Sequence, residues 1–231
     1  MSGWLASVTG AEEARLALAA GADLIDCKNP AAGALGALPR ATVAEVLAAV
    51  GGRRPVSATI GDFPEMAVEP VVAAAEAMAA TGVDYVKIGL FPAPGLPDCL
   101  EALAALARRQ PLVAVLFADR SPDFGLLPRL ARNGFAGVML DTAGKTGAGL
   151  LDHQPLAALA AFLAAARRQG LLGGLAGSLG LADIARLRPL GADYLGFRGA
   201  LCAGGRRQAG LDQAALARVA RALAVPMAEP A

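Results

Sequence analysis

The chain has 231 residues, 55% apolar, 18% charged and 4% aromatic, with a formal net charge of +1. That size and balance describe one globular domain, and arginine pairs scattered at 53–54, 108–109, 167–168 and 206–207 leave no basic excess for a nucleic-acid partner. Despite a mean hydropathy of +0.49, the longest charge-free stretches, 153–166 and 169–182, fall short of the roughly 18–20 residues that span a bilayer.

The N-terminus MSGWLASVTGAEEAR meets Glu12 and Glu13 before any long apolar run, so no secretory signal is expected and the chain reads as cytoplasmic. From there, short β-like runs near 4–8, 22–27, 56–60, 84–89, 112–117, 137–141, 172–176 and 194–198 alternate with Ala/Leu-rich helical stretches. Helix starts are expected at Thr9, Thr42, Asp98 and Asp152. Four strands are entered through similar phrases: AAGADLID at 19–26, ATGVDYVK at 80–87, RNGFAGVML at 132–140 and PLGADYLGF at 189–197. In each, a glycine ends the helix and the chain turns at once into a buried strand.

Eight such units predict a single-domain α/β protein, a (β/α)₈ TIM barrel over 1–224, a little under the usual size of about 250 residues, with a C-terminal tail at 225–231. An open doubly wound sheet is the alternative. It lacks a GxGxxG turn, and GKT at 144–146 fails the P-loop pattern because Met139 stands where that pattern needs its first glycine. Small apolar residues on the helices permit packing into a homo-oligomer.

Cys27, Cys99 and Cys202 are odd in number and far apart, and His153 is the only histidine. Neither a disulfide framework nor a metal site is expected, and acid–base chemistry must lean on carboxylates and lysines. Of 21 basic residues only Lys28, Lys87 and Lys145 are lysine. Arginine replaces lysine freely as a solvated cation, but it cannot deprotonate; a lysine kept in such a chain is a candidate nucleophile or base.

All three fall where a barrel carries its chemistry, beyond the carboxyl ends of its strands. Lys28 follows LIDC, Lys87 ends DYV, and Lys145 lies four residues after Asp141. Period-two alternation puts Asp26 and Lys28 on one face of their strand, and Gly137, Met139 and Asp141 on one face of theirs. Asp26 and Asp141 are then inward carboxylates that need cationic partners or a ligand; structural salt bridges to the lysines are the plain alternative to a catalytic role. Desolvation and neighbouring ammonium groups disfavour a lysine's charge while Asp26 favours it, so the sum stays open.

The last third adds a phosphate signal. AGSLG at 176–180 and GFRGALC at 196–202 follow the seventh and eighth strands, where barrels often bind phosphate through backbone N–H groups. Gly177, Ser178, Arg198 and Gly199 are the expected contacts, and with the lysines they point to a phosphorylated carbonyl compound. Asp119, Arg120 and Asp123 either meet substrate or cap a helix. The proline-rich loop 89–97 is a wall of the site or a plain connection. Trp4, Phe91 and Phe117 read as packing, and His153 as a cap or surface residue.

The segments LASVTGAEEARLALAAGADLIDCKNPAAGALGAL, DYVKIGL, GVMLDTAGKTGAGLLD, LAGSLG and GFRGALC resemble, in that order, the family of 4-(hydroxymethyl)-2-furancarboxaldehyde-phosphate synthase, also called (5-formylfuran-3-yl)methyl phosphate synthase. The most specific parts are D-x-K-x-P at 26–30 and D-x-x-x-K at 141–145. The resemblance implies a barrel enzyme that joins two molecules of glyceraldehyde 3-phosphate, with loss of phosphate and water, into the furan of methanofuran-type one-carbon carriers. It implies no metal or organic cofactor. Lys28 would be the Schiff-base nucleophile with Asp26 beside it, and Lys87, Asp141 and Lys145 the acid–base and charge-stabilising groups. A class I aldolase or isomerase, a flavin mononucleotide barrel, and a non-catalytic phosphosugar-binding protein are the competing readings.

Overall fold

In the computed structural model, which describes residues 2–144 and 147–225, eight parallel strands close into a barrel in chain order. They are β1 Gly3–Val8, β2 Leu24–Cys27, β3 Val56–Thr59, β4 Tyr85–Gly89, β5 Leu112–Phe117, β6 Gly137–Asp141, β7 Leu172–Leu175 and β8 Tyr194–Phe197. All eight lie within two residues of the positions read from the pattern. The helices are α1 Ala11–Ala19, α2 Arg40–Val50, α3 Val68–Ala79, α4 Leu96–Ala107, α5 Leu127–Arg132, α6 Leu150–His153, α7 Leu156–Arg168, α8 Leu181–Leu187 and α9 Gln213–Ala224. Lys145 and the tail from 226 onward lie outside the described residues. Among the described residues, no helix is long and apolar enough to cross a membrane.

The helix starts differ from expectation. Gly10, not Thr9, precedes α1; Thr42 and Asp98 lie inside α2 and α4. Asp152 sits in the one-turn α6, where its carboxylate accepts the Gly149 N–H at 2.7 Å. Pro39 and Pro155 stand immediately before α2 and α7 instead. Proline presets the extended entry without a side-chain acceptor, a signal that a search for Ser, Thr and Asp caps passes over.

The repeated entry phrase has a second physical purpose. Its glycines, Gly21, Gly82, Gly134 and Gly191, all adopt positive φ. In three of the four phrases the next residue but one is an aspartate that reaches sideways to the neighbouring strand: Asp23 accepts the N–H of Trp4, Asp84 that of Val56 and Asp193 that of Gly173, at 2.7–2.9 Å. Each carboxylate satisfies a strand-opening donor that the ladder leaves unpaired. In the fourth phrase Ala136 takes that place, and its own N–H joins the Leu112 carbonyl.

Register fixes which side chains point inward. Ser7 lies opposite Asp26, and Asp26 opposite Ser57, so three polar residues share one layer facing the barrel axis. Lower down, Leu5, Leu24, Tyr85, Val113, Leu172 and Tyr194 surround a small space beneath Lys87. Met139, which borders the same space, fills room left by two glycines: a Cβ on Gly196 would come within 2.9 Å of its Cε, and one on Gly174 within 3.1 Å of its Cγ. Large and small residues thus alternate across the strands beneath the open mouth.

Candidate active site

A cavity of about 420 Å³ opens at the carboxyl ends of the strands, lined by Lys28, Asp26, Lys87, Asp141, Gly177, Ser178, Arg198 and Gly199 among others. Every expected site residue that the structure describes therefore borders one space. The size suits a small organic ligand.

Two ion pairs cross its floor. Lys28 Nζ, from the end of β2, donates to Asp141 Oδ2 at 2.9 Å. Lys87 Nζ, from β4, donates to Asp26 Oδ1 at 3.1 Å. Neither lysine takes the carboxylate nearest in sequence. Asp26 is completely enclosed; besides Lys87 it accepts Ser57 Oγ at 2.6 Å and Ser7 Oγ at 3.0 Å. Burial pushes its carboxyl up, but the ammonium groups of Lys87 and Lys28 and the bonds from Ser57 and Lys87 outweigh it, leaving Asp26 below the ordinary carboxylate value.

The pairs differ in depth. The Lys28 and Asp141 side chains keep 10% and 7% of their surface exposed, those of Lys87 and Asp26 only 4% and 1%. Of these two lysines Lys28 is the nearer to a ligand in the mouth, with Lys87 and Asp26 beneath it. Buried ion pairs are weak stabilisers because desolvation offsets their attraction. Both pairs here border an open cavity.

Ser7 and Ser57 were not picked out from the sequence. Their signal was available, since both are polar residues at inward parity on the strands flanking Asp26. The short side chains fill the layer while supplying the hydroxyls that a buried carboxylate needs.

The phosphate candidates part company. Gly177 and Ser178 both have positive φ, +113° and +53°, and Ser178 is exposed at the rim. Gly199 opens a 3₁₀ turn, Gly199–Leu201, whose first N–H groups have no partner within the turn. Arg198 lines the cavity, but all five of its N–H groups are engaged inside the protein. Nε binds the Arg207 carbonyl, Nη1 the Ser7 carbonyl and Glu13 Oε2, and Nη2 Glu13 Oε1 and the Ala209 carbonyl. A direct contact between its guanidinium and a ligand requires one of these bonds to break. Burial pushes Glu13 up, yet its bonds and proximity to Arg198 leave it lowered.

The loop after β5 has structural work. Asp119 accepts the N–H groups of Ala143 and Gly144 at 2.7 and 2.6 Å, Asp123 that of Gly125 at 2.8 Å, and Arg120 lies over the Phe91 ring. Asp119 thereby anchors the start of the segment leading to Lys145. Phe91 and Phe117 pack against each other, Trp4 is buried, and His153 is exposed. Burial raises the Cys27 thiol far above its ordinary value, with Asp26 adding to the effect. Among the described residues, no three His, Cys, Asp or Glu side chains gather in a way that could hold a metal ion.

Comparison with known proteins agrees with this architecture. In solved structures the chain is similar to phosphoribosyl anthranilate isomerase from Thermus thermophilus, with TM-score 0.67 and 18% identity over 97% of this chain and 98% of that one. It is also similar to a thiamine phosphate pyrophosphorylase from Pyrococcus furiosus, with TM-score 0.63 and 12% identity over 96% and 95%. At those identities the likeness is one of fold. Sequence relatives are nearer: a protein of Methylorubrum extorquens is 46% identical over 98% of this chain and 94% of its own. The (5-formylfuran-3-yl)methyl phosphate synthases of Methanococcus aeolicus and Methanosarcina mazei are 37% and 38% identical, over 90% and 87% of this chain and 94% and 91% of theirs. A family model described as 4-HFC-P synthase matches residues 4–220. The chain belongs to the (5-formylfuran-3-yl)methyl phosphate synthase family of enzymes.

Proposed function

We propose that this chain condenses two molecules of glyceraldehyde 3-phosphate into a furan aldehyde phosphate, with loss of phosphate and water, for methanofuran-type carrier biosynthesis. The observation that carries the reading is the pair of crossed lysine–carboxylate contacts, Lys28 with Asp141 and Lys87 with Asp26, at one cavity in a member of this family.

Lys28 is the proposed nucleophile. Its ammonium passes a proton to Asp141, 2.9 Å away, and the freed amine adds to the aldehyde of the first triose phosphate; loss of water gives an imine. The imine draws electrons from the adjacent carbon, so a carboxylate or lysine at its side can take that carbon's proton and leave an enamine. Phosphate leaves from the carbon next to the enamine, and tautomerisation makes that terminal carbon the nucleophile. It adds to the carbonyl carbon of the second triose in its keto form, ring closure with loss of two waters gives the furan, and hydrolysis of the imine releases the aldehyde and restores Lys28. Lys87, Asp26 and Lys145 are assigned to proton transfer, and Lys87 and Lys145 to stabilising the phosphate that departs as its carbon–oxygen bond breaks. The remaining phosphate is assigned to the backbone at Gly177, Ser178 and Gly199. Arg198 enters this reading through the loop it holds. No metal or organic cofactor takes part, and the reading assigns the enzyme to the cytoplasm, with a phosphorylated triose as its partner molecule.

The test is incubation with glyceraldehyde 3-phosphate and borohydride followed by peptide mass spectrometry, with ultraviolet absorption and phosphate release followed in an unreduced sample. A reduced adduct on Lys28 together with a conjugated furan aldehyde and free phosphate supports the synthase. An adduct without furan leaves an aldolase, and folded protein giving neither adduct nor product overturns the Schiff-base mechanism.

A further inference from the structure

Charges around the cavity balance in pairs, with one exception among the described residues. Lys28 meets Asp141, Lys87 meets Asp26, and Arg198 meets Glu13. Arg207 lines the same cavity and is half-buried, yet no carboxylate of the described residues lies within ion-pair distance of it. Of its five N–H groups, one is engaged there: Nη2 donates to the Gly33 carbonyl at 3.1 Å. A half-buried guanidinium with most of its donors unspent favours an anionic ligand, and its planar fork matches a phosphate in two-point contact.

The backbone beneath it is fixed. Arg198 Nε holds the Arg207 carbonyl at 2.9 Å, and Arg198 is itself clamped by Glu13 and the Ser7 and Ala209 carbonyls. Burial lowers the Arg207 pKa from its ordinary value, Asp141 and Asp62 oppose that, and Arg198 adds to it. Arg207 is therefore within electrostatic reach of Asp141 and Asp62 but makes an ion pair with neither.

We propose that Arg207 is an anion-binding group of the mouth that holds the phosphate of a triose whose aldehyde lies at Lys28, selecting phosphorylated over unphosphorylated aldehydes. The inference rests on the proposed function for the identity of the triose. The cation itself and its position do not depend on that reading.

Arg207→Ala and Arg207→Lys test it through four readouts: KM for glyceraldehyde 3-phosphate, inhibition by inorganic phosphate, thermal stability, and the rate of borohydride trapping at Lys28 with glyceraldehyde 3-phosphate against glyceraldehyde. Loss of a charge-assisted contact predicts a rise in KM and in the phosphate inhibition constant of about 10–100-fold for Arg207→Ala. The trapping preference for the phosphorylated aldehyde falls by a similar factor. Arg207→Lys, which keeps the charge but not the fork, lies between. A folded Arg207→Ala protein with unchanged phosphate inhibition and trapping preference overturns the proposal, since a merely structural contact to Gly33 would lower stability alone. Should the parent make no furan, calorimetric titration with inorganic phosphate separates the two ideas. Phosphate binding by the parent that weakens at least tenfold in Arg207→Ala upholds the anion site while the synthase reading fails; equal binding, or none in the parent, overturns the site.

Discussion

Lys28 Nζ and Asp141 Oδ2 stand 2.9 Å apart although 113 residues separate them in the chain. One comes from the end of β2 and the other from the end of β6, and the closed barrel brings them together over its axis. In the proposed chemistry this contact is the route by which the nucleophile loses its proton. Lys28→Arg keeps a cation next to Asp141 but has no amine able to form an imine. Turnover should fall at least about a thousandfold, and peptide mass spectrometry should find no reduced adduct at position 28. A trapped adduct on Lys87 in that variant, with product still forming, would move the nucleophile one pair deeper.

Ser57 donates to Asp26 at 2.6 Å and helps hold it below its ordinary value. Removing that hydroxyl with Ser57→Ala raises Asp26, so the acid limb of kcat/KM should move to higher pH. The stability effect has a definite sign. A depressed carboxyl stabilises the fold at pH above its unfolded value, near 3.8, and that contribution is lost as pH falls through the folded value. Ser57→Ala should therefore cost about 1 kcal/mol at neutral pH, with a smaller difference in acid. An acid limb that stays in place while stability falls would show that the limb reports a different group.

Glu13 ties the two ends of the barrel sequence together, accepting from Arg198 and from the N–H groups of Thr9 and Leu211. Its lowered pKa gives the same sign of linkage, with stabilisation present above about 4.5 and lost as pH falls through the depressed folded value. Glu13→Gln should destabilise by about 2–3 kcal/mol at pH 7, because Arg198 keeps its burial and loses its counter-charge. Denaturant titrations at pH 7 and pH 3 should show the gap between parent and variant closing on acidification. A gap that persists unchanged at pH 3 contradicts the ionic origin.

Gly177 has φ +113°, and a Cβ there would lie 2.9 Å from Thr142 Cγ2 and 3.2 Å from Thr142 N. Gly177→Ala therefore adds backbone strain of about 1–3 kcal/mol and pushes on the segment just after Asp141. A melting temperature lower by several degrees is expected, together with a loss of kcat/KM measured well below the transition. Gly170→Ala is the control: it too has positive φ, +71°, but its Cβ meets nothing within 4 Å. Equal activity losses in the two variants would trace the effect to general strain and not to the mouth.

Local rules carried the sequence reading a long way, and their reach is physical. Alternation within a strand fixes the face on which a side chain sits, so Asp26 and Lys28 could be put on one inward face before any strand was paired. Positive-φ glycines before strands announced the repeat, and the scarcity of lysine pointed to Lys28 and Lys87 at the mouth. The helix entries at Pro39 and Pro155 were not legible to a search for polar caps, because proline ends the extended approach without any acceptor side chain.

The amino-acid sequence by itself determined the eight alternating units, the inward parity of the acidic and basic residues, and membership of a family through motifs spread along the chain. The partners were decided by the tertiary structure. Closure of the barrel, a sum of inter-strand registers, gave Lys28 to Asp141 and Lys87 to Asp26, and set Ser7 and Ser57 on either side of Asp26. The irregular segment after β8 spends Arg198 on Glu13 and three carbonyls and leaves Arg207 facing the cavity. Both arginines look alike in sequence because period-two alternation stops where the strand ends, and beyond it a side chain goes wherever non-local hydrogen bonds hold its backbone.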